Sequence, residues 1–149
     1  MKIEITGWSS KGFRCPDANI ELQAGGSGSN VSLIQMPNGT GKTTTLELLR
    51  ATLSGDIKHL SDTGLSQLAR RGSTEETGTF SVKLRIEDVD YKIDLVVNFI
   101  EEAHQFYTTS EVYKGTEKAY FLPPNTRKFF TKQFLDLFLF DAEFQQAIF

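Results

Sequence analysis

Val31-Ser32-Leu33-Ile34-Gln35-Met36-Pro37-Asn38-Gly39-Thr40-Gly41-Lys42-Thr43-Thr44-Thr45 is the stretch from which the fold is read. An apolar run ends in a Pro/Asn/Gly turn, and Gly-Lys-Thr then opens a segment with helical character. Strand, tight loop and helix N-terminus in that order make a phosphate-binding loop. Gly39 and Gly41 let the backbone curl so that successive N–H groups point at phosphate oxygens. Lys42 supplies a mobile cation for the β- and γ-phosphates, and the Thr43 hydroxyl is placed to ligate Mg²⁺. Pro37, Asn38, Thr40 and Thr44 complete the loop. The pattern G-x-x-x-x-G-K-[ST] expects glycine five residues before Gly41, where Met36 stands. A methionine fits there only with negative φ, so an altered loop entrance is expected. The bland alternative, a glycine-rich turn before an ordinary helix, is disfavoured because Gly-Lys-Thr sits between strand and helix.

The 149 residues suit one domain, residues 1–149, and 39% apolar with 23% charged residues describe an ordinary globular protein. A net charge of −3 gives no general basic field for nucleic acid, so any such contact has to be local. The single cysteine, Cys15, excludes an internal disulfide, which fits a reducing cytoplasm, and it reads as a small buried residue. No run reaches the ~18 apolar residues of a membrane span, and Met1-Lys2-Ile3-Glu4 does not begin a signal peptide.

In chain order, Lys2 to Ile5 alternates like a strand, and Asn19 to Leu22 is its candidate partner, with Gly12-Phe13-Arg14 between them. Ala24 to Asn30 has turn composition and reads as a hairpin connection. A helix is predicted from about Lys42 to Ser54, with Leu46, Leu49 and Leu53 on one face and Gly55 at the C-terminal cap. Residues 56–79 stay unassigned, apart from a possible short helix at Leu65 to Arg71. Phe80, Val82, Leu84 and Ile86 then alternate with polar residues, Glu87 to Asp90 turn the chain, and Tyr91, Ile93, Leu95, Val97 and Phe99 continue the alternation. Gln105 to Tyr113 reads as a third strand, so a β-meander over about 79–121 is expected. Leu122-Pro123-Pro124-Asn125 breaks the chain. Arg127 to Phe134 reads as helix and Leu137 to Glu143 as a buried strand ending in acid. Eight of the twelve phenylalanines lie between 121 and 149, which marks that end as core or as an interface.

This order resembles the N-terminal lobe of an SMC-like ABC ATPase head, the family of chromosome-maintenance and double-strand-break-repair ATPases with their DNA sulfur-modification and antiphage-defence relatives. Gly12-Phe13-Arg14 is similar to the place where the family carries an Arg that reaches the nucleotide. Pro37 to Thr44 is similar to its phosphate loop, and Phe138-Leu139-Phe140-Asp141-Ala142-Glu143 to its Phe-x-Phe-Asp-Gly-Glu segment, with Ala142 in place of Gly. The resemblance implies an α/β fold, a P-loop ABC-ATPase-like N-terminal lobe with an antiparallel β-meander. It implies ATP and Mg²⁺ as cofactors, Arg14 on the nucleotide, and Lys42 and Asp141 in catalysis, with Thr43 and Asp141 on the metal. It further implies a missing C-terminal lobe that carries the signature motif and the Walker B acid, beyond a long coiled coil. Head-to-head homodimerisation and DNA as the eventual partner follow from it. Neither a Leu-Ser-Gly-Gly stretch nor sustained heptads occur in the chain, so half of a head, incompetent alone for efficient hydrolysis, is expected.

Asp141 has a second reading. Four apolar residues before it also describe a Walker B strand, with Glu143 as a base, which would make the chain a self-contained P-loop phosphotransferase. The antiparallel look of the meander, without βαβ alternation, favours the first reading. In a third, Met36 blocks tight nucleotide binding and the chain is a non-enzymatic interaction module. Asp141 and Glu143 as solvated acids, Arg14 as a surface residue, and Gln145 or Gln146 as the Mg²⁺-side glutamine are the alternatives at those positions. His59 and His104 have no companion at ligand spacing and read as structural. The phenylalanines read as core or lobe interface rather than a base-stacking platform, and Arg70-Arg71 with Lys58 as a solvated patch with a minor prospect of DNA contact.

Overall fold

The computed structural model describes residues 1–22, 32–37, 39–56, 65–99 and 108–139. Its frame is one antiparallel six-stranded sheet in the order β2-β1-β3-β4-β5-β6. The strands are β1 (Ile3–Lys11), β2 (Ala18–Glu21), β3 (Thr77–Ile86), β4 (Val89–Asn98), β5 (Thr108–Lys114) and β6 (Glu117–Ala119). The helices are α1 (Lys42–Ser54), the single turn α2 (Leu65–Leu68), a 3₁₀ helix (Pro124–Phe129) and α3 (Lys132–Phe138). The α/β class and the meander expected from the alternation are therefore present. Among the described residues no helix is long and apolar enough to cross a membrane.

Period-two patterning builds the sheet. Phe80, Val82, Leu84 and Ile86 of β3 lie opposite Leu95, Ile93, Tyr91 and Val89 of β4, and both rows point to one face. Phe80, Val82, Leu84, Leu95 and Val97 are fully enclosed there. The turn between these strands is the two-residue Glu87-Asp88, both with positive φ, shorter than the four residues expected. Such a loop matches the right-handed twist of the flanking strands. The other face is polar. Arg85 pairs with Asp90 at 2.8 Å, Lys92 with the largely buried Asp94 at 2.7 Å, and Lys83 with Glu21; the Arg85 and Lys83 pairs are half-exposed and so of small consequence for stability.

Helix α1 crosses the apolar face over β3 and β4. Its buried residues are Thr45, Leu48, Leu49, Ala51, Thr52 and Leu53. Leu49 and Leu53 were expected there; Leu46 is only half-buried, and the fully enclosed Leu48 carries the centre of the face. Gly55, at φ 68°, ends the helix and donates its N–H to Ala51 O at 2.9 Å, as the sequence predicted.

Three expectations are corrected. Residues 32–37 form no strand, and Leu33 is 95% exposed. An apolar run becomes a buried strand only when hydrogen-bonded neighbours flank it, and the described sheet offers it none. The predicted helix at Arg127 to Phe134 is two pieces, the 3₁₀ helix and α3. The Thr131 hydroxyl accepts from Phe134 N–H and restarts the chain as a helix. Leu137 and Phe138, expected in a buried strand, complete α3 instead and are 71% and 64% exposed. Helical spacing governs here: Phe134 stacks on Phe138 one turn on, at 4.6 Å. Strand β5 carries the expected third strand from Thr108 to Lys114, and the short β6 follows the turn at Gly115 within the expected meander; Gln105 to Tyr107 lie outside the described residues. The expectations for Ala24 to Asn30, Asn38, His59, His104, Phe140 to Glu143, Gln145 and Gln146 lie outside the described residues.

The two faces of β3 should respond differently to truncation. Phe80→Ala is expected to cost about 3–5 kcal/mol through lost burial and a residual cavity, whereas Ser81→Ala on the polar face should stay within about 0.5 kcal/mol. Urea unfolding midpoints of the two variants measure the difference.

Candidate phosphate-binding site

The loop and the first turn of α1 have the backbone that the sequence demands. Gly39 and Gly41 have φ of 79° and 84°, the left-handed region that side chains disfavour. Met36 keeps negative φ, as its size requires. Thr40 folds back on the loop: its hydroxyl donates to Pro37 O at 2.6 Å and its N–H to the same oxygen at 3.4 Å. Gly41 is the N-cap of α1 and brings no side chain to satisfy the first-turn N–H groups. Thr45 anchors the loop from below, since both its N–H and its hydroxyl donate to Gly41 O at 2.9 Å. Lys42 and Thr43 follow on the exposed side of that turn.

Behind the loop lies the β1–β2 connection. A side-chain carbon placed on Gly41 would come within 2.5 Å of Cys15 Cβ and 2.9 Å of Cys15 Cα, so the two backbones touch. At Gly39 the same construction meets nothing within 4 Å among the described residues. One loop glycine is thus required by a neighbour as well as by its φ, while the other has no described neighbour on its side-chain face, where a bulky anion can be accommodated. Cys15 is 2% exposed, its thiol within hydrogen-bonding reach of Ser10 and Thr45. Burial pushes that thiol above its ordinary pKa, so it is a packing residue with little thiolate character.

Arg14, the predicted nucleotide contact, is the residue before Cys15. It is exposed, and its N–H donates to Leu68 O at 2.7 Å. The structure therefore brings the Arg14 turn and the loop together. Asp141, the predicted metal and catalytic acid, lies outside the described residues, so Thr43 stands as the described half of the predicted Mg²⁺ pair. Two residues that sequence reasoning left unassigned or read otherwise also reach this turn. Asp17 accepts from Gly12 N–H at 2.9 Å and from Arg70 Nη2 at 2.6 Å, and those contacts, the Gly12 N–H foremost, hold its carboxyl below the usual carboxylate range. Pro16-Asp17 was a turn signal for the first of these contacts. Nothing local announced the second, 53 residues distant.

A comparison with protein-family models matches residues 2–148 to one described as an AAA domain. The chain belongs to the AAA-domain family. It is accordingly an SMC-like P-loop ATPase lobe, of a class that binds ATP and, with it, Mg²⁺. No curated protein matches the chain. The residues present fit such a ligand on their own geometry: a helix start with no side-chain cap, two left-handed glycines, no described residue within 4 Å of the side-chain face of Gly39, and Lys42 and Thr43 on the exposed turn.

The glycines should separate under substitution. Gly39→Ala is expected to cost about 1–2 kcal/mol for the left-handed backbone alone, and Gly41→Ala a further ~1–3 kcal/mol for overpacking against Cys15, read from unfolding midpoints. Cys15 should resist iodoacetamide in the folded protein while the urea-unfolded chain is labelled to completion, followed by intact mass.

Proposed function

We propose that this AAA-domain chain is the ATP–Mg²⁺-binding N-terminal lobe of an SMC-like ATPase that serves DNA repair, DNA modification such as sulfur modification, or antiphage defence. The observation that carries the nucleotide part is the uncapped Gly41 start of α1, held beside the Arg14 turn by its contact with Cys15. In this reading the first-turn N–H groups and Lys42 bind the β- and γ-phosphates, Thr43 holds the metal, and Arg14 adds a planar cation for phosphate oxygens. Mg²⁺ supplies charge neutralisation between the phosphates when bound.

Efficient hydrolysis asks for a positioned water and further charge around the γ-phosphate. In our reading those come from a C-terminal lobe that carries the signature motif and the Walker B acid, and from a second head. The exposed Leu33, beside the half-exposed Ile34, supports this, since an apolar run next to a phosphate loop is a surface suited to added strands. The rival phosphotransferase reading calls for βαβ alternation around the loop, and the described sheet is an antiparallel meander instead, which supports the first reading. DNA belongs to the intact machine in this reading.

Calorimetry with Mg²⁺-ATP, followed by a turnover assay, tests it. The parent should bind with negligible turnover. Lys42→Ala should weaken binding by about tenfold or more, for loss of a charge-assisted contact, with unfolding unchanged because Lys42 is exposed. Equal binding by Lys42→Ala would sink the phosphate-loop assignment, and steady hydrolysis by the parent would sink the half-site reading.

A further inference from the structure

We propose that Asp17 and Arg70 are positioning residues of the phosphate loop, a staple that holds the 12–17 turn so that Cys15 backs Gly41 and Arg14 stands beside the loop. The inference rests on the nucleotide reading above for its functional meaning, and on geometry alone for the staple.

The turn between β1 and β2 is held at every residue that could let it move. Its first residue, Gly12, has φ of 78° and donates its N–H to Asp17 Oδ1 at 2.9 Å, which closes the turn on itself. Ser10 Oγ donates to Pro16 O at 2.9 Å. Phe13 is fully buried, edge-on to Phe99 at 5.8 Å and pressed on Gly78, where a side-chain carbon would meet the ring at 2.8 Å. From the far side Arg70 reaches in. Its Nε donates to Phe13 O at 3.2 Å, and its Nη2 donates to the same Asp17 oxygen that holds Gly12. One planar guanidinium thus ties a main-chain carbonyl at the start of the turn to a carboxylate at its end, a geometry that lysine's single ammonium does not reproduce. The bridge between Phe13 and Ala69 and the Arg14 N–H bond to Leu68 O fix the same segment beside α2.

The other side of the turn bears on the loop. Cys15 and Gly41 are in backbone contact, and Gly41 O is the anchor for both donors of Thr45. A turn that drifts by a few tenths of an ångström therefore takes with it either the support of Gly41 or the placement of Arg14. Arg70 and Asp17 are 38% and 47% exposed, so the pair adds little to global stability. Its effect is on position, where misplacement of contacting groups by an ångström is costly. Arg70 had read as part of a solvated basic patch; its guanidinium is instead spent on the turn.

Amide hydrogen exchange of the ligand-free chain, with Mg²⁺-ATP calorimetry and thermal unfolding alongside, tests the staple. Asp17→Ala and Arg70→Ala should each speed exchange at Gly41 to Thr43 by about tenfold, with amides of β3 and β4 unchanged. ATP affinity should fall by about tenfold in both, while the unfolding midpoint falls by no more than about 5 °C. Asp17→Asn, which keeps an oxygen for Gly12 N–H and Arg70, should restore loop exchange and affinity to within about threefold of the parent. Arg70→Lys should not. Unchanged loop exchange in both alanine variants, or exchange that rises equally in β3 and β4, overturns the staple. Should the parent bind no ATP while loop exchange still rises in the variants, the nucleotide reading fails and the staple stands.

Discussion

Gly41 and Cys15 meet with no room between them for a single methyl group, and the rest of the site is arranged to keep that contact. On one side the contact fixes where α1 begins. A helix start is an anion site only if its first N–H groups face a space of the right shape, and the left-handed Gly41 turns the loop away from the helix axis to make one. On the other side it fixes the β1–β2 turn, and with it Arg14. A close approach of two main chains is a stiffer reference than an exposed ion pair, because repulsion rises steeply over tenths of an ångström.

The sheet serves as the platform for this contact. Phe13 enters the core at the end of β3, against Gly78 and Phe99, and α1 lies over the same apolar face of β3 and β4. Turn and helix are thereby docked on one rigid surface from two directions. Thr45 joins them chemically, since it is buried under the loop, bonds Gly41 O, and comes within reach of the Cys15 thiol. An aliphatic residue there would fill the same space with one fewer tie between loop and helix. Arg50, further along α1, bonds Leu139 O at the end of α3 and so draws the last described element onto the helix.

What the sequence disclosed follows from how local each signal is. Helix α1 was readable to the residue because its limits are chemical, a Gly-Lys-Thr start and a Gly55 stop, and β3 and β4 were readable because ten-residue alternation has one interpretation. Short apolar runs are different. Val31 to Gln35 and Leu137 to Phe140 share the composition of buried strands, yet Leu33 is open to solvent and Leu137-Phe138 end a helix. Composition states what a segment would gain from burial, not whether a partner is there to bury it. The break inside 124–138 turned on Thr131, a cap whose meaning depends on the residues three ahead rather than on the aromatic run around it. Within the site, the loop glycines and Lys42 were legible, whereas Arg70 was not, because a contact across 53 residues leaves no local pattern.

The net charge of −3 bears on how such a site can hold a polyanion. A long-range field would not draw a nucleoside triphosphate to this chain, so the attraction has to be built within a few ångströms. Lys42 and Arg14 come from segments far apart in sequence, and the Cys15–Gly41 contact brings those segments together with both side chains exposed. Arg70 takes the opposite part, its charge held by Asp17 and the Phe13 carbonyl. Of the basic residues near the turn, one is committed to structure so that another can stay exposed for a ligand. That division of labour, rather than any excess of positive charge, is what makes a mildly acidic lobe suited to phosphate.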